Sequence, residues 1–217
     1  MSAVLGHIHF WLYKKIQLIA EREQIIKKEA QTRLDDLADE LYATAIDLYG
    51  KPIPPDRQLD RIIDHNNIHG WLQNQLQTSS VREATFIKDL TDCGGDDGID
   101  AVLEAFIKQG AMCGTEAKEK LTAQTAPAIY TVMQDYYVNG MPCDPSDTVI
   151  EQTDTTFSWY GNHQNQISYW KTAGVNPIIM AAAFQAWFSA FVSHVAPDFA
   201  FSVNLDGDIP VYTIAKS

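Results

Sequence analysis

The stretch FAFSVNLDGDIPVYTIA, residues 199–215, decides the fold. Phe199, Phe201, Val203 and Leu205 alternate with smaller or polar residues, the period of a strand with one buried face. Asp206-Gly207-Asp208 supplies turn chemistry and 209–215 resumes a strand-like run, so the segment predicts a β-hairpin. Upstream, 149–152 and 155–160 are rich in β-branched and aromatic residues around Thr153-Asp154, which predicts a second hairpin. Between the two, Asn162 can cap a helix that runs to Ala173 and ends at Gly174, and Asn176-Pro177 can open an apolar helix through Ser193. The order over 141–217 is then ββααββ. Two hairpins in one antiparallel sheet, covered by helices, would bury Phe157, Trp159, Phe199 and Phe201.

Toward the N-terminus the period changes from two to that of a helix. Leu5, Ile8, Leu12, Ile16, Ile19, Ile26, Ala30, Leu34, Leu37, Leu41, Ala45 and Leu48 form a stripe that predicts one long helix or two nearly collinear ones, ended by Gly50 and the 51–55 segment. Its other face, with Glu21, Arg22, Glu23, Lys27, Lys28 and Glu29, reads as a solvated surface of mixed sign. A second helical pattern takes in Leu59, Ile62, His65, His69, Leu72 and Leu76 and breaks at Ser79-Ser80. Further helices are expected over 81–90, 99–109 and 115–124, with Cys93-Gly94-Gly95-Asp96-Asp97-Gly98 as a turn, and Pro127 can start another. No linker or repeat divides the chain. The expectation is one α+β domain over 1–217, mostly helical through 1–140, with a small C-terminal antiparallel sheet built from two hairpins.

The 28 acids and 16 bases leave a formal net charge of -12, which repels nucleic-acid phosphates and anionic lipid. No basic patch offsets this, and from Asn139 onward only Lys171 and Lys216 stand against seven acids. Neither nucleic acid nor membrane is expected as a partner. Cys93, Cys113 and Cys143 are widely spaced, without a Cys-x-x-Cys pair, and read as free thiols of a reducing compartment. The N-terminus lacks the pattern of a cleavable signal peptide, and the apolar 178–195 run, which carries Gln185, Ser189, Ser193 and His194, reads as a core helix. A cytoplasmic protein is expected.

The residues that carry chemistry are mainly histidines. His65 and His69, four apart, would lie about 40° apart around one helix and could direct two imidazoles at one divalent transition metal. His7, His9 and His163 are the candidates to complete that site; His7 and His9 share a side only if the chain near Gly6 is not helical. Buried histidines with satisfied hydrogen bonds would explain the same pattern without a metal, and acid–base use would too. Gln185, Ser189 and Ser193 recur every four residues on the apolar helix and, with Trp170, could line a pocket for a small polar ligand, although solvent exposure gives the same spacing.

Gly140-Met141-Pro142, the strand pair that follows, Trp170 before Gly174-Val175-Asn176-Pro177, and Pro197 before the Phe-rich strand and Gly207-Asp208 together resemble the L-2-amino-thiazoline-4-carboxylic acid hydrolase family over roughly 140–216. The resemblance implies a helical domain with a terminal sheet and small-molecule chemistry. Cysteines that the family favours near the second and last strands are replaced here by 160–163 and 210–214, so no cysteine-dependent role carries over. Three readings follow: a small-molecule enzyme, with a metal-assisted hydrolase as its sharpest form; a non-catalytic small-ligand-binding or sensory domain; and a homo-oligomeric scaffold whose first helix packs against a second copy.

Overall fold

A computed structural model describes residues 5–144, 147–161, 163–207 and 209–217. The chain runs through α1 (His7–Leu34), α2 (Asp36–Tyr49), α3 (Leu59–Ile62), α4 (Ile68–Lys118), α5 (Ala126–Met133), β1 (Val149–Gln152), β2 (Thr156–Tyr160), α6 (Gln164–Ala173), α7 (Pro177–Val195), β3 (Phe199–Asp206) and β4 (Ile209–Lys216). The C-terminal ββααββ order is as the alternation predicts. The two hairpins join through β2 and β4 into one antiparallel sheet of order β1-β2-β4-β3. Phe157, Trp159, Phe199, Tyr212 and Ile214 are buried, and Phe201 is partly so. Asn162 lies outside the described residues, and the helix it was expected to cap has His163 at its N-cap. Gly174 in the left-handed region closes α6, and the Asn176 side chain accepts from the Ile178 amide to open α7.

The helical half departs from expectation in its turns. The first helical stripe is a hairpin, because Asp35 at φ 48 and ψ -131 reverses the chain. Gln24 Nε2 donates to Tyr42 Oη at 2.6 Å, whereas residues 18 apart on a straight helix would be about 27 Å apart. Gly95 adopts nearly the same backbone, φ 55 and ψ -131, and divides α4 into antiparallel arms over 68–94 and 96–118. The helix runs unbroken through Ser79-Ser80 and through Gly110 and Gly114, since Val81, Ala84, Phe106 and Cys113 bury on its inner side and outweigh the few tenths of a kcal/mol that Ser costs, or the roughly 1 kcal/mol that Gly costs. It stops at Lys118, so the 115–124 helix is shorter than expected.

Arg22 and Glu23 are not on a solvated face: they are 6% and 0% exposed, turned into the seam between α1 and α4. The larger of two apolar clusters fills the space among both arms of α4, α7 and the sheet; the smaller joins Leu12, Ile16 and Ile19 of α1 to Leu59, Leu72, Val138 and Met141. Among the described residues α7 is the one helix long and apolar enough to cross a bilayer, and half of that stretch is buried within the protein.

α7 lies against the second arm of α4 at two glycines. A Cβ on Gly110 would be driven into the Trp187 carbonyl oxygen, and one on Gly114 into that of Phe191. The obstacle is helix backbone, which cannot swing aside as a side chain does. Gly110→Ala is therefore expected to destabilise the protein by about 1–3 kcal/mol despite alanine's higher helix propensity, read as a lowered urea midpoint. A midpoint at or above that of the wild type would show that the two helices are free to separate.

Candidate functional site

Lys15 stands on the buried side of α1, 2% exposed, one turn after Trp11. Its Nζ lies 3.4 Å from the centre of the Trp11 ring and donates to the Gln134 carbonyl oxygen at 3.0 Å. That carbonyl is at the end of α5, where helix oxygens lack partners and the dipole favours a cation. Burial nevertheless pushes the Lys15 amine down to about 7, opposed by the Asp135 carboxylate. Asp135 is itself tied to the same helix, because Trp11 Nε1 donates to its Oδ1 at 2.9 Å.

The 134–144 segment folds over this lysine, and Asp147 joins it there. Tyr130 Oη donates to Asp147 Oδ2 at 2.8 Å and Asn139 Nδ2 to Oδ1 at 3.0 Å. Burial raises the Asp147 carboxyl, with the hydrogen bonds from Tyr130 and Asn139 acting in the opposite sense. Gly140 at φ 79 allows the turn, in which the Met141 amide donates to Asp144 Oδ2 at 2.7 Å; a Cβ on Gly140 would strike that oxygen. Lys15, Trp11, Tyr130, Gln134, Asn139 and Asp147 line one cavity of about 260 Å³. Among the described residues, two buried amide atoms of its lining, Gln134 Nε2 and Asn139 Oδ1, have no hydrogen-bond partner. Buried polar atoms of that kind are what a bound water or ligand satisfies.

Deeper in the protein, the only buried histidine among the described residues bridges two tyrosines. His163 Nδ1 is 2.8 Å from Tyr137 Oη and its Nε2 is 2.5 Å from Tyr212 Oη, within a wall made by Trp170, Phe184 and Phe188. Burial lowers His163 to about 4, so at neutral pH the ring has one N–H donor and one acceptor nitrogen, one for each tyrosine. Burial raises both tyrosines well above their usual range, and the charge of Asp147 adds to that in each case. Asp147 is thus the negative centre that Tyr130, Tyr137 and Tyr212 all sense.

The residues singled out from sequence are spread over several places. His65 is not on the helix of His69: it sits in the turn before Asn67, which caps α4, and its Nε2 lies 2.9 Å from the Asp60 carbonyl oxygen. His7 is exposed, and His9 Nδ1 accepts from the Gly6 amide at 2.9 Å to close the start of α1. His9 and His69 do meet across one pocket, with Leu12, Leu72, Met141 and Cys143, whereas His163 is buried apart from them. No group of three or more His, Cys, Asp or Glu side chains is placed to hold a metal ion among the described residues. Trp170 is buried and stacked on Phe184, while Gln185 and Ser189 face outward from α7.

Lys15 and Asp147, absent from the sequence-based candidates, are an amine and a carboxyl that the fold brings to one cavity. A signal for Lys15 existed, since it falls three residues after Leu12 and four before Ile19 on the buried stripe. Comparison of the chain with protein-family models, with curated proteins and with solved structures finds no match.

Proposed function

We propose that this protein is an enzyme that hydrolyses a small polar molecule by acid–base chemistry, with Lys15 and Asp147 facing the substrate. One observation carries the reading: a lysine lowered to about 7 and an aspartate raised by burial line the same cavity. Shifts in these opposite directions bring an amine and a carboxylic acid toward neutrality, where each can exchange a proton during turnover. In such a reaction the neutral Lys15 amine takes a proton from the attacking water, whose oxygen bonds to the substrate carbon, and the ammonium returns that proton to the leaving group as the bond between that group and the carbon breaks. Gln134 and Asn139 would orient the substrate. The cavity is smaller than the roughly 300–1,000 Å³ of drug-sized sites, which favours a compact metabolite. The resemblance over 140–216 to the L-2-amino-thiazoline-4-carboxylic acid hydrolase family supports a ring-opening hydrolysis of a small heterocyclic acid. This form takes precedence over a metal-assisted one because, among the described residues, no three His, Cys, Asp or Glu side chains converge where His9 and His69 share a pocket.

The test is a panel of small amides, lactams and thiazoline carboxylates, offered to untagged protein with and without a chelator. Hydrolysis that persists with chelator, rises with pH through about 7 and falls at least about 100-fold in folded Lys15→Met and Asp147→Asn is the expected result. Turnover indifferent to both substitutions would overturn the assignment, and turnover lost to chelator would return it to the histidines. Saturable binding without turnover would make the cavity that of a ligand-binding domain.

A further inference from the structure

The largest of the described cavities, about 570 Å³, lies away from Lys15 and Asp147, between α1, α2 and the 51–55 segment. One wall is the α1 face of Gln17, Ala20 and Gln24, a second is Tyr42 and Ile46 of α2, and the third is Pro52-Ile53-Pro54-Pro55. Proline fixes the backbone φ of that third wall, so it needs little ordering to receive a ligand. The floor is equally fixed. Tyr42 Oη accepts from Gln24 Nε2 at 2.6 Å and donates to Glu23 Oε2 at 3.4 Å, and its ring sits edge-on to Phe86 with centroids 5.1 Å apart.

Apolar walls of this extent, in a volume within the usual range of small-molecule sites, suit a hydrocarbon body. Two charged side chains line the cleft. Glu21 Oε2 lies 3.4 Å from Gln109 Nε2, on the side of α1 toward α4. Lys51 has no ion pair among the described residues and is exposed, leaving its ammonium available to a ligand. We propose that this cleft is a binding site for a small amphipathic carboxylate, with its chain between Ala20, Ile46 and the prolines and its head group on Lys51. The site is independent of the hydrolytic reading, since the two cavities share no residue.

Titration calorimetry of the full chain with octanoate, octanol and octylamine at neutral pH tests the proposal. Octanoate is expected to bind one to one, and octanol and octylamine at least about tenfold more weakly. Ile46→Trp, and independently Ala20→Phe from the opposite wall, should abolish octanoate binding by filling the cleft. Lys51→Glu should weaken octanoate about tenfold and strengthen octylamine, while Lys15→Met should leave octanoate binding unchanged. Absence of saturable octanoate binding would overturn the proposal. So would equal binding of octanol, tighter binding of octylamine, or octanoate affinity that survives both filling substitutions.

Discussion

Glu83→Ala is expected to lower the unfolding free energy by about 3–5 kcal/mol, a large share of the roughly 5–15 kcal/mol available to a domain. Glu83 and Arg22 form a two-pronged pair, Nε to Oε1 at 2.7 Å and Nη2 to Oε2 at 2.8 Å, with both residues nearly excluded from water. Beside them the reverse pairing holds: Arg82 Nε lies 3.0 and 3.1 Å from the two oxygens of Glu23. Adjacent residues Arg22-Glu23 on α1 thus meet Arg82-Glu83 on α4 as a buried quartet. Truncating Glu83 leaves a guanidinium that retains the Gln109 side-chain oxygen at 3.0 Å and the Phe106 ring at 4.6 Å, but has no carboxylate.

Urea unfolding followed by tryptophan fluorescence measures the loss. The double substitution Arg22→Met with Glu83→Leu removes both charges, fills similar volume, and should recover most of the stability, because desolvating a buried pair consumes much of its attraction. A single variant within 1 kcal/mol of wild type, or a double variant worse than the single, would contradict a buried and dry quartet. The neighbouring carboxyl shows how dry the site is. Burial raises Glu23 to about 7 even though Arg82 is in direct contact with it.

These positions also explain what could be read in advance. Strand alternation is local, so 199–215 announced its hairpin, and the caps at Asn176 and Gly174 needed only neighbouring residues. The reversal at Asp35 was not legible, because an Asp in a continuing apolar stripe gives no sign that it takes φ 48; the glycines around position 95 flagged the same conformation in α4. Lys15, Arg22 and Glu23 fall on the period of Leu12, Ile19, Ile26 and Ala30, inside the buried arc. Charge alone placed Arg22 and Glu23 outside. The burial of all three depends on partners from distant segments, Gln134 for Lys15, Glu83 for Arg22 and Arg82 for Glu23, and only the tertiary fold supplies those. The spacing of His65 and His69 misled for the opposite reason: it means chelation only where one helix covers both, and Asn67 begins the helix between them.

His163→Asn is expected to lose its disadvantage in acid. A histidine lowered from 6.5 to about 4 binds fewer protons folded than unfolded across that interval, so its contribution to stability is complete above pH 6.5 and is lost as pH falls through the folded value. The shift corresponds to roughly 3 kcal/mol. The side chains in contact with the ring do not titrate in that window, because Tyr137 and Tyr212 are pushed upward and Trp170, Phe184 and Phe188 are uncharged; the Asp147 carboxyl beyond the tyrosines, raised by burial, is present in both proteins. The raw acid curve of the wild type conceals the effect. Glu23, raised from 4.5 to about 7, adds stability as pH falls through the same range and works against His163. The difference between wild type and variant removes that contribution, since both retain Glu23. Asparagine suits the left-handed φ of 45 and the N-cap of α6 but cannot be protonated. The stability gap between the two proteins, measured by urea unfolding at half-unit steps, should therefore narrow by roughly 3 kcal/mol from pH 6.5 to 4. A gap that stays constant, or imidazole resonances of His163 that titrate near 6.5, would mean that water reaches the ring and that the tyrosines do not seal it.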